Sequence, residues 1–302
     1  MMMEKKIKNI KISSVTPMLS HGGDGKSPEI RIPEFKSAMR FWWRALSYFE
    51  VKEDDELDYF NKMRAMEGKI FGDAKKNASP ISIRLKNIKN RNIKKYNYGI
   101  RGFEKVEFEM SLILKYPQVL SQIDYWNFNK YYSLLEIVSI LGGVGQRIRR
   151  GYGVFRIDNS NIYLSINLNF LKNKINEIFG NIYKVAKSKY ILEKNVIARK
   201  KECKPNCGFS YVEEIFIGKE VSFNIYKENI ERAIWKNFNK KNEYKNTKRY
   251  ACPVYISACY KKDTNSVIPI ITILYNTQIR EDNENYYKYK RYVSNIIGEC
   301  IK

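Results

Sequence analysis

The most constraining feature of the sequence is residues 33–49, PEFKSAMRFWWRALSYF. At 3.6 residues per turn, Phe35, Met39 and Trp42 share one apolar face, which predicts a helix packed on a core. The opposite face carries the side chains of Lys36, Arg40, Trp43, Arg44 and Ser47. Three cations beside an exposed indole suit a phosphodiester chain with stackable bases. A solvated basic face with a half-buried Trp gives the same pattern, so both interpretations stay open for the helix alone.

The net charge of the chain favours a polyanionic partner. The 55 Lys and Arg outnumber the 32 Asp and Glu, which leaves a formal charge of +23 over 302 residues. Scattered lysines carry little weight, because an AT-rich coding sequence also produces them. Clustered arginines carry more, because the planar guanidinium binds phosphate with two parallel hydrogen bonds. An apolar content of 44% excludes a disordered chain, and the length fits two domains or one large domain.

Residues 142–153, GGVGQRIRRGYG, form the second informative stretch, with five glycines and three arginines. They follow a predicted helix and precede a predicted strand, whereas a dinucleotide-binding fingerprint needs the strand first. Glycines allow a close backbone approach, arginines contact phosphates and a tyrosine offers a stacking face. A glycine-rich bulge with solvated arginines is the alternative. The candidate nucleic-acid contacts of this stretch are Gly143, Gly145, Gln146, Arg147, Arg149, Arg150 and Tyr152.

The periodicity of apolar residues predicts alternating strands and helices. Predicted strands cover residues 5–16, 81–85, 106–114, 154–157, 162–168, 221–226, 254–260 and 267–274. Predicted helices cover residues 33–49, 56–71, 131–141, 170–187, 229–238 and 286–301. The basic residues 86–102 predict a loop or the arms of a hairpin, and residues 187–206 and 239–249 predict loops. This order fits an α+β protein with two ferredoxin-like domains and antiparallel sheets, which we divide into residues 1–160 and 161–302.

Two motifs that would indicate other functions are incomplete. Gly25, Lys26 and Ser27 look like the end of a phosphate-binding P-loop, but Pro28 follows at once and prevents the helix that this motif requires. The five cysteines contain no CxxC pair, so a structural zinc site is not favoured. We therefore predict no cofactor and no metal.

The sequence contains neither a signal peptide pattern nor an apolar run long enough to span a membrane. Reduced thiols are the default for such a chain. We expect a cytoplasmic protein without a membrane partner.

Four motifs together resemble the RAMP superfamily of CRISPR RNA-binding proteins. The first is a strand that ends at Thr16 and Pro17 and is followed by a glycine-rich loop and the helix IRIPEFKSAMRFWWRAL. The other three are EGKIFG at 67–72, GGVGQRIRRGYG at 142–153 and RYACPVY at 249–255. Within the superfamily, the aromatic and basic helix is similar to that of the first-subunit family of type III-B (Cmr) effector complexes.

This resemblance implies two ferredoxin-like domains and a non-catalytic subunit that binds RNA. Its partners would be the guide RNA, the target RNA and other Cmr-type RAMP subunits, and it would hold the 3′ part of the guide–target duplex in antiviral defence. We expect Lys36, Arg40, Trp43 and Arg44 to face the RNA and Trp42 to face the core.

Two other functions stay open at this point. His21, the single histidine, could act as general acid/base in a metal-free RAMP endoribonuclease that processes CRISPR RNA. Alternatively, the basic face could meet an acidic partner protein in a purely structural role.

Overall fold

The computed structural model describes residues 6–51, 56–74, 76–96, 99–191, 193–205, 209–238, 253–261, 263–275 and 283–301. The strands are β1 (Ile7–Ser14), β2 (Ile81–Lys95), β3 (Arg101–Leu114), β4 (Phe155–Ile157), β5 (Tyr183–Lys187), β6 (Asn195–Arg199), β7 (Tyr211–Ile217), β8 (Val221–Ser222), β9 (Val254–Lys261) and β10 (Ser266–Tyr275). The helices are α1 (Ile32–Leu46), α2 (Glu56–Phe71), α3 (Pro117–Leu120), α4 (Phe128–Leu141), α5 (Leu168–Phe179), α6 (Phe223–Phe238) and α7 (Asn283–Cys300).

The first sheet has the strand order β2-β3-β1-β4, and its neighbouring strands are antiparallel. Helix α1 connects β1 to β2 and α4 connects β3 to β4, which is the ferredoxin-like order. Along β1, Ile10 and Ile12 are buried and Lys11 between them is exposed. This alternation buries one face of the sheet and leaves the other open.

The second sheet has the order β5-β6-β7-β10, and both β8 and β9 pair with β10. Strand β7, helix α6, strands β9 and β10, and helix α7 repeat the strand and helix order of the first half. The position beside β7 is taken by β6, which comes earlier in the chain. The α+β class and the two antiparallel sheets predicted from the sequence are confirmed.

The second sheet is covered on both faces, and the burial pattern of β10 shows it. Its residues are buried from Ser266 to Leu274 without alternation. Ile270 belongs to a core shared with α1, α4 and the first sheet, whereas Ile271 belongs to a second core with α6 and α7. The layers are therefore the first sheet, the pair α1 and α4, the second sheet, and the pair α6 and α7.

Arg199 on β6 joins the second sheet to the end of α1. Its side chain is buried, and its Nη atoms donate hydrogen bonds to the carbonyls of Ala45 at 2.8 Å and Ser47 at 3.1 Å. It also donates to the Tyr183 hydroxyl at 2.7 Å and lies 5.0 Å from the ring centre of Tyr211. The guanidinium is thus placed at the negative end of the α1 dipole, between two aromatic rings.

Several predicted elements differ from the structure. The predicted strand at 162–168 is wrong: residues Asn161–Tyr163 form a 3₁₀ turn, and α5 follows. The predicted helix at 170–187 ends at Phe179, because Gly180 adopts a φ of 88° that ends the helix before β5. The predicted strand at 221–226 keeps only two residues, since Ser222 accepts a hydrogen bond from the Ile225 N–H and begins α6.

Strands β6 and β7 were not predicted, and the basic residues 86–102 extend β2 and β3 as the arms of a hairpin. The predicted loop at 239–249 and most of the RYACPVY motif lie outside the described residues. The division at residue 160 stays a prediction, since the shared core contains residues from both sides of it. In the described part of the chain, no helix is long and apolar enough to cross a membrane.

Replacing Arg199 by Lys keeps the charge but removes the fork that reaches Ala45, Ser47 and Tyr183 together. We expect the free energy of unfolding to fall by about 2–3 kcal/mol, because a hydrogen bond to a charged group contributes roughly 1.5–3 kcal/mol. Urea titration measures the change. Lys184→Ala, which removes an exposed cation on β5, is the control and should change stability by less than about 0.5 kcal/mol. An Arg199→Lys protein as stable as the wild type would contradict this role.

Candidate nucleic-acid interface

Both adjacent tryptophans of α1 are buried, which corrects the prediction for Trp43. The Trp42 side chain packs edge-on against Tyr255 of β9, as expected for a core residue. Trp43 is also fully buried, and its ring lies 5.9 Å from that of Phe49 and 6.2 Å from that of Phe71. The expectation of an exposed indole is wrong because α2 and the residues after α1 cover the face that periodicity assigned to ligand.

The arginines of α1 are engaged by α2. Glu67, the first residue of the EGKIFG motif, accepts hydrogen bonds from Arg40 Nε and Arg44 Nη1, each at 2.6 Å on Oε1. Arg40 also donates from Nη1 to the Gly72 carbonyl at 3.1 Å. Two guanidinium groups share one carboxylate, so the cluster keeps a surplus of positive charge while it fixes α2 on α1.

An open cavity of about 550 Å³ lies beside this cluster. Lys36, Arg40 and Arg64 contribute positive charge to its wall, and Glu67 and Asp73 contribute negative charge. Burial and the nearby Arg40 lower the pKa of Lys36. The cavity therefore offers a mixed polar lining rather than a purely basic one.

The glycine-rich segment 142–153 closes on itself at a narrow neck. The Val144 N–H donates to the Gly153 carbonyl at 3.0 Å, and an added Cβ on Gly143 would lie 2.5 Å from that same oxygen. Gly153 has a φ of 69°, and a Cβ there would lie 1.9 Å from the Val144 carbonyl oxygen. Gly143 is buried in this neck, so its role is close packing and not the surface contact predicted for it.

The same segment is held against the chain that leaves β1. The Gln146 N–H donates to the Leu19 carbonyl at 2.8 Å, and the Gly153 N–H donates to the Pro17 carbonyl at 2.9 Å. Gly145 has a φ of 90°, and an added Cβ would lie 2.7 Å from the Leu19 oxygen. The Thr16-Pro17 strand end and the glycine-rich segment, recognised as separate motifs, are thus one structural unit.

The three arginines of the segment lie at the junction of the two halves. Arg147 has a left-handed conformation with a φ of 56°, and residues Ile148–Arg150 form a 3₁₀ turn. The Arg149 guanidinium lies 5.2 Å from the ring centre of Tyr255, and a Cβ on Gly151 would meet Ile230 of α6 at 2.8 Å. Gln146 is exposed, and Arg147, Arg149, Arg150 and Tyr152 are partly exposed.

The end of the β2–β3 hairpin also reaches this segment. The Tyr96 and Tyr152 rings meet edge to face with centres 6.1 Å apart, and burial raises the pKa of Tyr96 to about 12. His21 Nε2 lies 2.7 Å from the Arg101 carbonyl oxygen, to which it donates a hydrogen bond. Tyr96 and Arg101 were not predicted as site residues, although the excess of cations at 86–102 marked their surroundings.

His21 fills a structural position in this arrangement. Its side chain is buried with 7% exposure, and Nδ1 has no hydrogen-bond partner among the described residues. Its Nε2 proton is committed to the Arg101 carbonyl. A general acid/base needs to reach the proton that it moves, so this geometry favours a role in fixing the hairpin.

Residues 11–156, which include β1, α1 and the glycine-rich segment, match the sequence profile of the RAMP superfamily. The CRISPR system Cmr subunit Cmr1-1 of Pyrococcus furiosus is 29% identical to the chain over 185 residues, or 52% of this chain and 50% of that relative. The chain thus matches about half the length of this curated relative.

Two solved structures share the fold of this protein. A chain in the cryo-EM structure of the Type III-B Cmr-beta bound to cognate target RNA matches with a TM-score of 0.53 and 12% identity, over 99% of this chain and 100% of that one. A chain in a second structure of the Type III-B Cmr-beta, bound to cognate target RNA and AMPPnP in the presence of ssDNA, matches with a TM-score of 0.50 and 14% identity. That match covers 98% of this chain and 99% of the other. The resemblance stated from the sequence motifs is confirmed.

The burial of Trp43 predicts a loss of stability when its indole is removed. Trp43→Ala should lower the free energy of unfolding by about 3–5 kcal/mol, as expected for a large aromatic side chain in a core. Trp43→Phe should cost less, because it retains the ring contacts and removes an indole N–H that has no partner among the described residues. Chemical denaturation distinguishes the variants. An unchanged stability of Trp43→Ala would contradict the burial.

Adding a single methyl group at Gly153 tests how closely the backbone packs in the neck of the glycine-rich segment. Gly153→Ala should lower the stability of the protein by about 3 kcal/mol or more, from backbone strain and the collision with Val144. Gly23→Ala is the matched control, because an added Cβ there meets nothing within 4 Å. Thermal unfolding of both variants measures the difference. Equal melting temperatures would show that the neck tolerates a side chain.

Proposed function

We propose that this RAMP protein is a non-catalytic RNA-binding subunit of a type III-B CRISPR ribonucleoprotein. It holds the 3′ part of the guide RNA–target duplex in a cytoplasmic complex for antiviral defence. Its partners are the guide RNA, the target RNA and other Cmr-type RAMP subunits. Substrate RNA is cut elsewhere in the assembly.

The glycine-rich segment carries the proposal. Its backbone is fixed by hydrogen bonds to Pro17 and Leu19, and its short turn presents Arg147, Arg149 and Arg150 where the two halves meet. Cations on a fixed backbone bind phosphates with little ordering cost. Phosphate contacts carry no sequence information, which suits a subunit that must accept many guide sequences.

The comparisons support this proposal in two ways. The Pyrococcus furiosus relative is a subunit of a CRISPR Cmr system, and the two solved structures are Type III-B Cmr-beta complexes bound to cognate target RNA. The formal charge of +23 adds a long-range attraction for any RNA.

The basic face of α1 takes a secondary place in the proposed interface. Lys36, Arg40 and Arg44 remain candidate phosphate contacts, because Arg40 and Arg44 keep 29% and 28% of their side-chain surface exposed. Their first partner is Glu67, so an approaching phosphate competes with a carboxylate. The loop arginines are therefore expected to contribute more to RNA affinity than the helix arginines.

Replacing Arg147 and Arg150 together by Gln tests the proposal in the full-length protein. We expect weaker binding of labelled single-stranded RNA, and the slope of log K against log salt should decrease by about 0.7 for each lost phosphate contact. Fluorescence anisotropy at several salt concentrations measures both quantities. The control Lys184→Gln/Lys187→Gln removes the same charge from exposed positions on β5.

Equal affinity and slope in the loop variant and the wild type would contradict the proposed interface. Wild-type protein that neither retains RNA on purification nor binds added RNA at low salt would contradict the proposed function itself. Retained RNA should form bands of discrete length on a denaturing gel. Retention of an acidic protein in place of RNA would support the structural alternative.

A further inference from the structure

The outer part of the β2–β3 hairpin carries two kinds of cation. Lys86 and Lys89 lie opposite Glu109 and Glu107 in the strand register. Lys94 forms an ion pair with Glu104 at 2.5 Å. Lys94 is therefore neutralised by direct contact, and Lys86 and Lys89 each have a carboxylate in the opposite register position, as is usual for exposed strands.

Beyond Lys89, four other exposed cations of the hairpin have neither an ion pair nor an acidic residue opposite them among the described residues. No ion pair or side-chain hydrogen bond joins them to another described residue. They are Arg91, Lys95, Arg101 and Lys105. Beyond Lys89, only Lys94 has an acidic partner among the described residues, so the outer part of the hairpin keeps a surplus of positive charge.

Two of the uncompensated cations face each other. Lys95 and Arg101 are direct partners in the antiparallel register, and like charges directly opposite each other destabilise a strand pair. Lys105 lies opposite Asn92 in the register. Arg91, the residue before Asn92, lies about 14 Å along the strand from Lys95, since a strand rises about 3.4 Å per residue. A bound anion between Lys95 and Arg101 would convert the repulsion into attraction.

Protection of an edge strand gives a simpler reason for cations on β2, which lies at the edge of its sheet. That reason does not extend to Arg101 and Lys105 on β3. There the bridge between Met18 and Phe103 lies between the two cations and already pairs this stretch of strand.

The position of these cations matches the interface described above. The Arg101 carbonyl is held by His21, and Tyr96, next to Lys95, contacts Tyr152 of the glycine-rich segment. The uncompensated cations are therefore continuous with the loop that carries Arg147 and Arg150.

We infer that the end of the β2–β3 hairpin is a second RNA-binding site, in which Lys95 and Arg101 hold one phosphate between them. Arg91 and Lys105 contact the same RNA backbone farther along the hairpin. This inference rests on the proposed RNA-binding function and extends the interface to residues that no family motif contains. The ligand class is the phosphodiester backbone of RNA, without base recognition.

The test compares Lys95→Gln/Arg101→Gln with Lys86→Gln/Lys89→Gln in the full-length protein. Both variants lose two positive charges, so the long-range attraction falls equally. We expect the first variant to bind labelled single-stranded RNA about tenfold more weakly, with a salt slope reduced by about 0.7, because one phosphate contact is lost. The control should lose much less affinity. Without RNA, the first variant should melt at a higher temperature than the wild type, because the repulsion is removed.

The outcomes separate this inference from the proposed function. If the loop variant Arg147→Gln/Arg150→Gln loses affinity and the hairpin variant does not, the hairpin site is wrong and the proposed function stands. Equal losses in the hairpin variant and its control would show that only net charge matters, and would overturn the site. Aggregation of the hairpin variant with unchanged RNA affinity would assign the cations to edge protection. Wild-type protein without RNA affinity would overturn both proposals.

Discussion

A buried arginine joins the second sheet to the end of helix α1, and it has no acidic partner among the described residues. Arg199 reaches from the second sheet to the carbonyls at the end of α1, where the helix dipole supplies the negative potential that a carboxylate would otherwise provide. Two tyrosine rings flank it, so the cation is desolvated without being unpaired. The end of helix α1 is thereby fixed against the second sheet, and the positions of Lys36, Arg40 and Arg44 follow from that placement.

The sequence alone predicted the class of the fold and the motifs of the interface, because both depend on local patterns. Alternating apolar residues and glycine-rich turns predict strands, helices and close backbone contacts wherever they occur. The Thr16-Pro17 strand end and the segment at 142–153 were recognised separately, and their contact through Leu19 requires the tertiary structure. In the unpredicted strand β7, Glu213 and Glu214 interrupt the apolar residues, and the contacts that bury both carboxylates come from tertiary structure.

Trp43 shows the limit of periodicity most clearly. An amphipathic pattern assigns a residue to one face of a helix, but it does not reveal whether another element covers that face. Helix α2 covers it here, and Glu67 draws Arg40 and Arg44 to the same side. The polar face of α1 that contains Trp43 is therefore the surface on which α2 packs. Residues 86–102 are predicted as a loop or the arms of a hairpin, and Tyr96 lies just after β2, but its contact with Tyr152 depends on tertiary structure that no local pattern reveals.

The contacts of the glycine-rich segment have a mechanical consequence. The segment touches Leu19 in the first half and both Tyr255 and Ile230 in the second. Any opening between the halves would pull Arg149 away from Tyr255 and distort the turn that presents the arginines. Any ligand that binds the ordered turn, such as the RNA proposed above, would therefore be thermodynamically linked to the closed arrangement of the halves and would resist their separation. In the proposed complex, force applied to one half would change the affinity for RNA at the turn.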